Sequence, residues 1–187
     1  MTGEVPQGPV CARCPRLLGA SCCEVKEGER LATLTRADVE RIQAHTRLAA
    51  RRFVDEEVLS HEEAAEYEAR RPLYRGYFAR APVRLTLRTR AGACVFHAPG
   101  KGCVLPAEVR PVACRLYPFE RWPDGSWSVQ MGRYGDLSEA RAGGDACLAV
   151  EEADSMDGVL ELFGTTREQV EALGEVLAGE TGRHGRG

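Results

Sequence analysis

The apolar positions change period several times along the chain. From Thr35, the segment TRADVERIQAHTRLAARRF sets Val39, Ile42 and Leu48 on or near one face at helical spacing. Thr35 with Asp38 three residues later forms a capping signal, so an amphipathic helix is expected to follow. A second cap, Ser60 with Glu63, opens SHEEAAEYEARRPLYRGYF, and Pro72 is expected to end or kink that helix near Arg71. The period then shortens. In VRLTLRT, Val83, Leu85 and Leu87 alternate with Arg84, Thr86 and Arg88, the pattern of a half-buried strand, and ACVF is its expected antiparallel partner after the turn at RAG. Pro111 suits the first turn of a short helix carrying Cys114, with Pro118 at its end. In ERWPDGSWSV, Trp122 and Trp127 flank a Pro-Asp-Gly turn, which predicts a hairpin. The segment 151–178 reads as helix, with Thr166 and Gln169 supplying a capping box. No internal repeat and no low-complexity run interrupts this order.

These elements predict a small single α+β domain: an irregular cysteine-rich metal-binding core, short antiparallel strands and amphipathic helices. Its expected boundaries are a flexible arm over 1–10, a cysteine-cluster domain over 11–150 with a helical insertion at 35–80, a helical segment over 151–178 packed on it, and a flexible tail over 179–187. A length of 187 residues suits one such unit.

Composition narrows the function classes. Lys plus Arg number 25 against 28 Asp plus Glu, so no polyanionic partner is demanded and nucleic acid is not indicated. The opening MTGEVPQGPV lacks a basic stretch followed by an apolar run, and no segment approaches a membrane-spanning length of about 18 apolar residues. The expectation is a cytoplasmic protein with no membrane partner; a protein partner is left unidentified.

That compartment changes the meaning of the eight cysteines. Reducing conditions keep thiols unpaired and favour metal ligation or redox chemistry over disulfides. The order is Cys11-x2-Cys14-x7-Cys22-Cys23, Cys94-x8-Cys103-x10-Cys114, and then Cys147. A CxxC pair brings two thiolates from one turn to a single ion, at about 2.3 Å for zinc. Neighbouring Cys22 and Cys23 suit each other poorly as a disulfide. A turn there aims both sulfurs at one centre, opposed side chains serve two centres, or one ligates while the other packs. Eight thiolates on one divalent ion would leave a charge of about minus six, whereas four on one zinc leave about minus two. Arg13, Arg16, Arg110 and Arg115 stand beside cysteines, either as donors to sulfur or as solvated charges.

Four residue sets have plainer readings. His97, between Cys94 and Cys103, completes a mixed Cys/His site or, more simply, faces solvent from a turn; His45, His61 and His184 do not look like ligands. HEEAA has Ala65 where a zinc-protease helix needs its second histidine, so that reading fails. Tyr117 and Phe119 read as core anchors, and Trp122 and Trp127 as a cross-hairpin pair or a cover for the core. Without a P-loop or a dinucleotide loop, no catalytic residue is named and the question of an enzyme stays open.

CARC and CC near the start, LT followed by Asp38, and CVF...GKGCVLPAEVRPVACRLYPF together resemble the YkgJ-type cysteine-cluster family, described as a CxxCxxCC zinc- or iron-chelating domain. The resemblance covers roughly residues 11–147. It implies a metal-binding set of Cys11, Cys14, Cys22, Cys23, Cys94, Cys103 and Cys114, with Cys147 matching a later, less regular cysteine. The gap of seven residues between Cys14 and Cys22 is longer than the family commonly has. Similar clusters in flagellin lysine N-methylases imply an iron–sulfur centre. The expected cofactor is therefore an iron–sulfur cluster or zinc, in an accessory or electron-transfer module. A methyltransferase-like or redox enzyme, and a structural zinc module for protein contacts, stand as the alternatives.

Overall fold

The computed structural model describes residues 23–24, 31–99, 101–129, 149, 152–153 and 155–186. The expected arm and Cys11, Cys14, Cys22 and Cys147 lie outside them.

Helix α1 spans Arg36–Thr46 and starts as its cap predicts: Thr35 accepts from the Asp38 amide while Asp38 accepts from the Thr35 amide. It stops well before the end of the periodic pattern. Arg47 takes a left-handed conformation, and its amide donates to Gln43. Thr46 Oγ1 donates to the Ile42 carbonyl and accepts from the Leu48 amide, which turns the chain and leaves Leu48 exposed. A 3₁₀ turn over Ala50–Arg52 then delivers Phe53 to the core.

Strand β1, Val54–Val58, corrects the expectation of one helical insertion over 35–80. Its sequence VDEEV carries apolar residues only at its ends, so the cause lies across the sheet. It pairs antiparallel with β2, Val83–Leu87, in the register Val54 with Leu87 through Val58 with Val83. Glu57 faces Arg84 in this register and accepts from its Nε at 2.7 Å, while Asp55 accepts from Arg88 Nε at 2.7 Å. Opposite charges directly across an antiparallel pair make an acidic strand tolerable. The other edge of β2 is covered by residues 32–34, through a Thr33–Thr86 bridge and a Leu34 amide bonded to Leu85.

Helix α2, His61–Arg70, has the expected Ser60–Glu63 capping box, and a 3₁₀ turn over Pro72–Tyr74 follows it. The first half of ACVF pairs with two residues just beyond β2 and not with the strand itself: β3, Thr89–Arg90, one residue past β2, meets β4, Ala93–Cys94, around Ala91 and Gly92, both at positive φ. A second two-residue pair joins β5, His97–Ala98, to β6, Gly102–Cys103. Helix α3, Val112–Leu116, begins one residue after Pro111, which stands at its N-cap. The predicted hairpin is β7, Phe119–Arg121, with β8, Trp127–Val129. Trp127 faces Arg121 in this register, and Trp122 is 51% exposed, so the two tryptophans do not pair.

Helix α4, Met156–Phe163, and helix α5, Arg167–Arg186, complete the mixed α+β fold. Thr166 and Gln169 form the expected capping box. The glycine-rich segment 179–186, expected as a tail, continues α5, and Glu180, Thr181 and His184 on it are buried. Its glycines permit close packing: a Cβ at Gly185 would stand 1.9 Å from the Gly76 carbonyl oxygen, and one at Gly174 would stand 2.9 Å from the Trp127 ring.

Buried side chains form two groups. One gathers Tyr77, Val112, Leu116, Phe119, Val159 and Leu177 under α5. The other gathers Leu34, Ile42, Phe53, Leu87, Phe96 and Leu105 around the small strand pairs. Tyr77 links them by donating to the Leu34 carbonyl at 2.6 Å and accepting from the Leu85 amide at 3.1 Å. His184 stacks on Tyr77 with centroids 4.0 Å apart and 12° between planes.

Two predictions follow from how α5 docks. Gly185→Ala forces the backbone of Gly76 away and should lower stability by about 2 kcal/mol or more. Gly179→Ala meets nothing within 4 Å and should raise it by about 0.5–1 kcal/mol. Urea denaturation of the two variants checks both; equal effects would refute the docking. His184 supplies the pH term. Its Nδ1 accepts from the Arg36 amide at 3.2 Å, and burial, then the Arg36 charge, lower its pKa from 6.5 to about 4. The folded chain therefore binds fewer protons than the unfolded one between these values, and stability falls as pH drops through that window. Around the ring stand Tyr77, Arg36 from α1, Glu56 and Arg80 across an adjoining cleft, and Glu180 one turn earlier on α5. Between pH 7 and 5 His184 should contribute a loss of roughly 1–2 kcal/mol, seen as a flatter pH profile in His184→Phe.

Candidate metal centre

Four cysteines fall within the described residues: Cys23, Cys94, Cys103 and Cys114, and none of them is in a disulfide. They come from four separate stretches of chain and meet at the second core group, where Cys94 is buried and the other three pack against it half-buried.

Backbone hydrogen bonds explain how three of them arrive. The short β3–β4 turn sets Cys94 opposite Thr89, and the Cys94 amide donates to the Cys23 carbonyl at 2.7 Å. A Glu24–Ala93 bridge continues this pairing, so Cys23 and Glu24 lie against β4. In the β5–β6 pair, Cys103 stands directly opposite His97, and the Val104 amide returns to the Phe96 carbonyl at 2.8 Å. Gly102, at φ +78°, holds the conformation that this tight return requires. Cys114 comes from the middle of α3, whose flanking Val112 and Leu116 are buried in the other core group.

The electrostatics follow from this apolar setting. Burial pushes the Cys94 thiol up to about 12, offset in part by the Phe96 amide, which lies 3.5 Å from its sulfur. Cys103 is raised by burial as well, against the Leu105 amide and the Arg110 guanidinium, which act in the opposite direction. Cys114 is raised too, by burial and then by the charges of Cys23, Cys94, Cys103 and Asp38. Each thiolate formed here raises the cost of the next. A cation removes that cost, because metal ligation takes the deprotonated form and releases the protons.

The donor chemistry is that of soft metals: thiolates select zinc or iron–sulfur clusters over hard cations. Among the described residues no three His, Cys, Asp or Glu side chains stand at metal-holding distances from one another. Cys11, Cys14, Cys22 and Cys147 fall outside them, and the four described members of the expected set of eight share one apolar group without standing as ligands to a common point. His97 is half-buried on β5, not solvent-facing on a turn, whereas His45 and His61 are exposed. Arg110 bonds the Leu105 carbonyl at 2.9 Å beside Cys103, and Arg115 is exposed. Phe119 is buried edge-on to Phe163, as a core anchor should be.

A cleft of about 290 Å³ opens elsewhere, between α1, β2 and the end of α5, lined by Arg36, Glu56, Arg80, Val83, Leu85 and His184. None of the described cysteines lines it. The buried polar set of Asp38, Glu180, Thr181 and His184 had no expected role. The one sequence signal for it was Asp38 as a helix cap. No family model, no curated protein and no solved structure matches the chain significantly. No helix among the described residues is long and apolar enough to cross a membrane.

Thiol chemistry checks this arrangement. At pH 8 and without metal, Cys94 should react with iodoacetamide on the order of 100-fold more slowly than a model thiol, since only the thiolate attacks and the greater nucleophilicity of a high-pKa thiolate offsets part of its scarcity. A rate within about threefold of the model thiol would contradict the burial.

Proposed function

We propose that the chain is a metal-binding protein in which clustered cysteine thiolates hold an iron–sulfur cluster or zinc, with Cys23, Cys94, Cys103 and Cys114 among the ligands. One observation carries the proposal: four cysteines, from stretches up to 91 residues apart (Cys23 to Cys114), pack at one apolar group with mutually opposed ionisation. Single buried cysteines commonly serve as small apolar side chains. Four converging thiols gain nothing further as packing, and ligation gives their shared location a use. Cys11, Cys14, Cys22 and Cys147 complete the proposed donor set. The bound group would supply either electron transfer, from iron and sulfide, or a fixed cross-link between segments, from zinc.

The YkgJ resemblance, resting on CARC, CC and RPVACRLYPF, points the same way. This reading entails a reducing compartment, where thiols persist.

Elemental analysis and visible spectra of the full chain purified without air test it. Iron with sulfide, or zinc, is expected in stoichiometric amount, and Cys94→Ser, Cys103→Ser and Cys114→Ser should each lower it. Colourless protein without iron or zinc sinks the proposal. Zinc with loss of fold on chelation assigns the structural role; coloured, redox-active protein assigns the electron-transfer role.

A further inference from the structure

Helix α3 is only five residues long and has no cap of its own: Pro111 stands at the N-cap position and makes no side-chain hydrogen bond. The first amides of a helix have no partner within it. For α3, the Val112 amide finds one far away in sequence, donating to Asp38 Oδ1 at 3.0 Å across 74 positions. Cys114 is the third residue of this helix.

Asp38 is itself fixed. Its Oδ2 accepts from the Thr35 amide at 2.9 Å, and Arg41 forms an ion pair with Oδ1. Arg41 also binds Glu180 on α5 at 3.0 Å, and Thr35 Oγ1 donates to the other Glu180 oxygen at 2.7 Å. Asp38 and Thr35 are fully buried, so water does not compete for these bonds. The acceptor offered to α3 is thus held from two helices.

We propose that Asp38 is a positioning residue for the cysteine cluster: its carboxylate stands in for the missing cap of α3 and thereby fixes Cys114 among the other thiols. Its bearing on metal rests on the proposed function above; the placement of Cys114 does not.

Three variants separate this role from a general contribution to folding. Asp38→Ala removes the acceptor. Asp38→Asn keeps a carbonyl oxygen for the Val112 amide while removing the charge and the second acceptor, which serves the Thr35 amide. Val112→Pro removes the donor and exchanges one buried apolar side chain for another, at the helix position where proline is tolerated and after a residue whose ψ of 141° already suits a following proline. The readouts are alkylation of each cysteine in metal-free full-length protein, followed by mass spectrometry, and the rate of zinc or iron loss to a chelator. Urea midpoints are measured alongside.

In Asp38→Ala and Val112→Pro, Cys114 should be alkylated at least about 10-fold faster while Cys94 keeps its wild-type rate, as local opening of one helix requires. Metal retention should weaken by about 10–100-fold, the range typical of groups that orient a ligand. Asp38→Asn should stay within about threefold of wild type in both readouts, restoring what Asp38→Ala loses. Unchanged Cys114 reactivity in Val112→Pro, or equal acceleration of Cys94 and Cys103, overturns the proposal. Should Asp38→Ala not fold, Val112→Pro decides alone. Wild-type protein that takes up neither zinc nor iron defeats the proposed function and leaves the alkylation contrast to judge the placement.

Discussion

A carboxylate without solvent exposure organises this chain. Asp38 sits between the two buried groups, where ionisation is opposed by the loss of water and supported by the Thr35 and Val112 amides and the Arg41 guanidinium. The balance leaves its pKa raised, with desolvation the largest cause. Such a group adds little net stability, but removing one of its partners strands the rest, at a cost of about 3–5 kcal/mol. What the arrangement supplies is specificity. Glu180 must reach Arg41 and Thr35 together, which fixes the rotation and axial position of α5. Slippage of α5 by one residue would leave a buried charge without its partner.

Glycine completes what the charges begin. Gly185 lets the end of α5 approach the Gly76 backbone, and Gly174 accepts the Trp127 ring. Both contacts exclude a side chain, so one glycine of the segment that looked like a loose tail, Gly185, is needed for close packing, while Gly179 has open space beside it. Helix propensity is a weak preference, and tertiary contact overrides it here. His184 and Tyr77 stack at that junction, and the Tyr77 hydroxyl carries the connection through to Leu34 and Leu85.

The capped helices were legible in the sequence because capping is local. Thr35–Asp38, Ser60–Glu63 and Thr166–Gln169 each act within one turn, and all three form. The Pro-Asp-Gly hairpin was legible for the same reason. Strand β1 was not, since VDEEV owes its conformation to Arg84 and Arg88, about 30 residues later. The early end of α1 was hidden too: a hydroxyl bonding back to Ile42 and a left-handed arginine decide it against a continuing apolar pattern. For the candidate site, residue type and spacing singled out the cysteines, and Cys23, Cys94, Cys103 and Cys114 pack at one apolar group without forming a metal-holding set among the described residues. What spacing could not supply was the remote cap on α3, because Asp38 already had a local explanation in its own capping box.

The same two-sided use of Asp38 explains why the thiol cluster and the C-terminal helix belong to one physical argument. A short helix with a proline before it has little intrinsic stability, and helices of a turn or so need tertiary support. The support comes from a carboxylate whose negative charge also opposes ionisation of Cys114. That opposition is the smallest of the five causes acting on the thiol, behind burial and the three neighbouring cysteines. A neutral acceptor would spare Cys114 this charge but would give up the ion pair with Arg41, and with it one of the ties to Glu180. The carboxylate is therefore a compromise in which placing the sulfur and docking α5 outweigh a modest electrostatic penalty on the thiolate. A cation at the thiols would shrink that penalty, because its positive charge offsets part of the thiolate charge that Asp38 opposes.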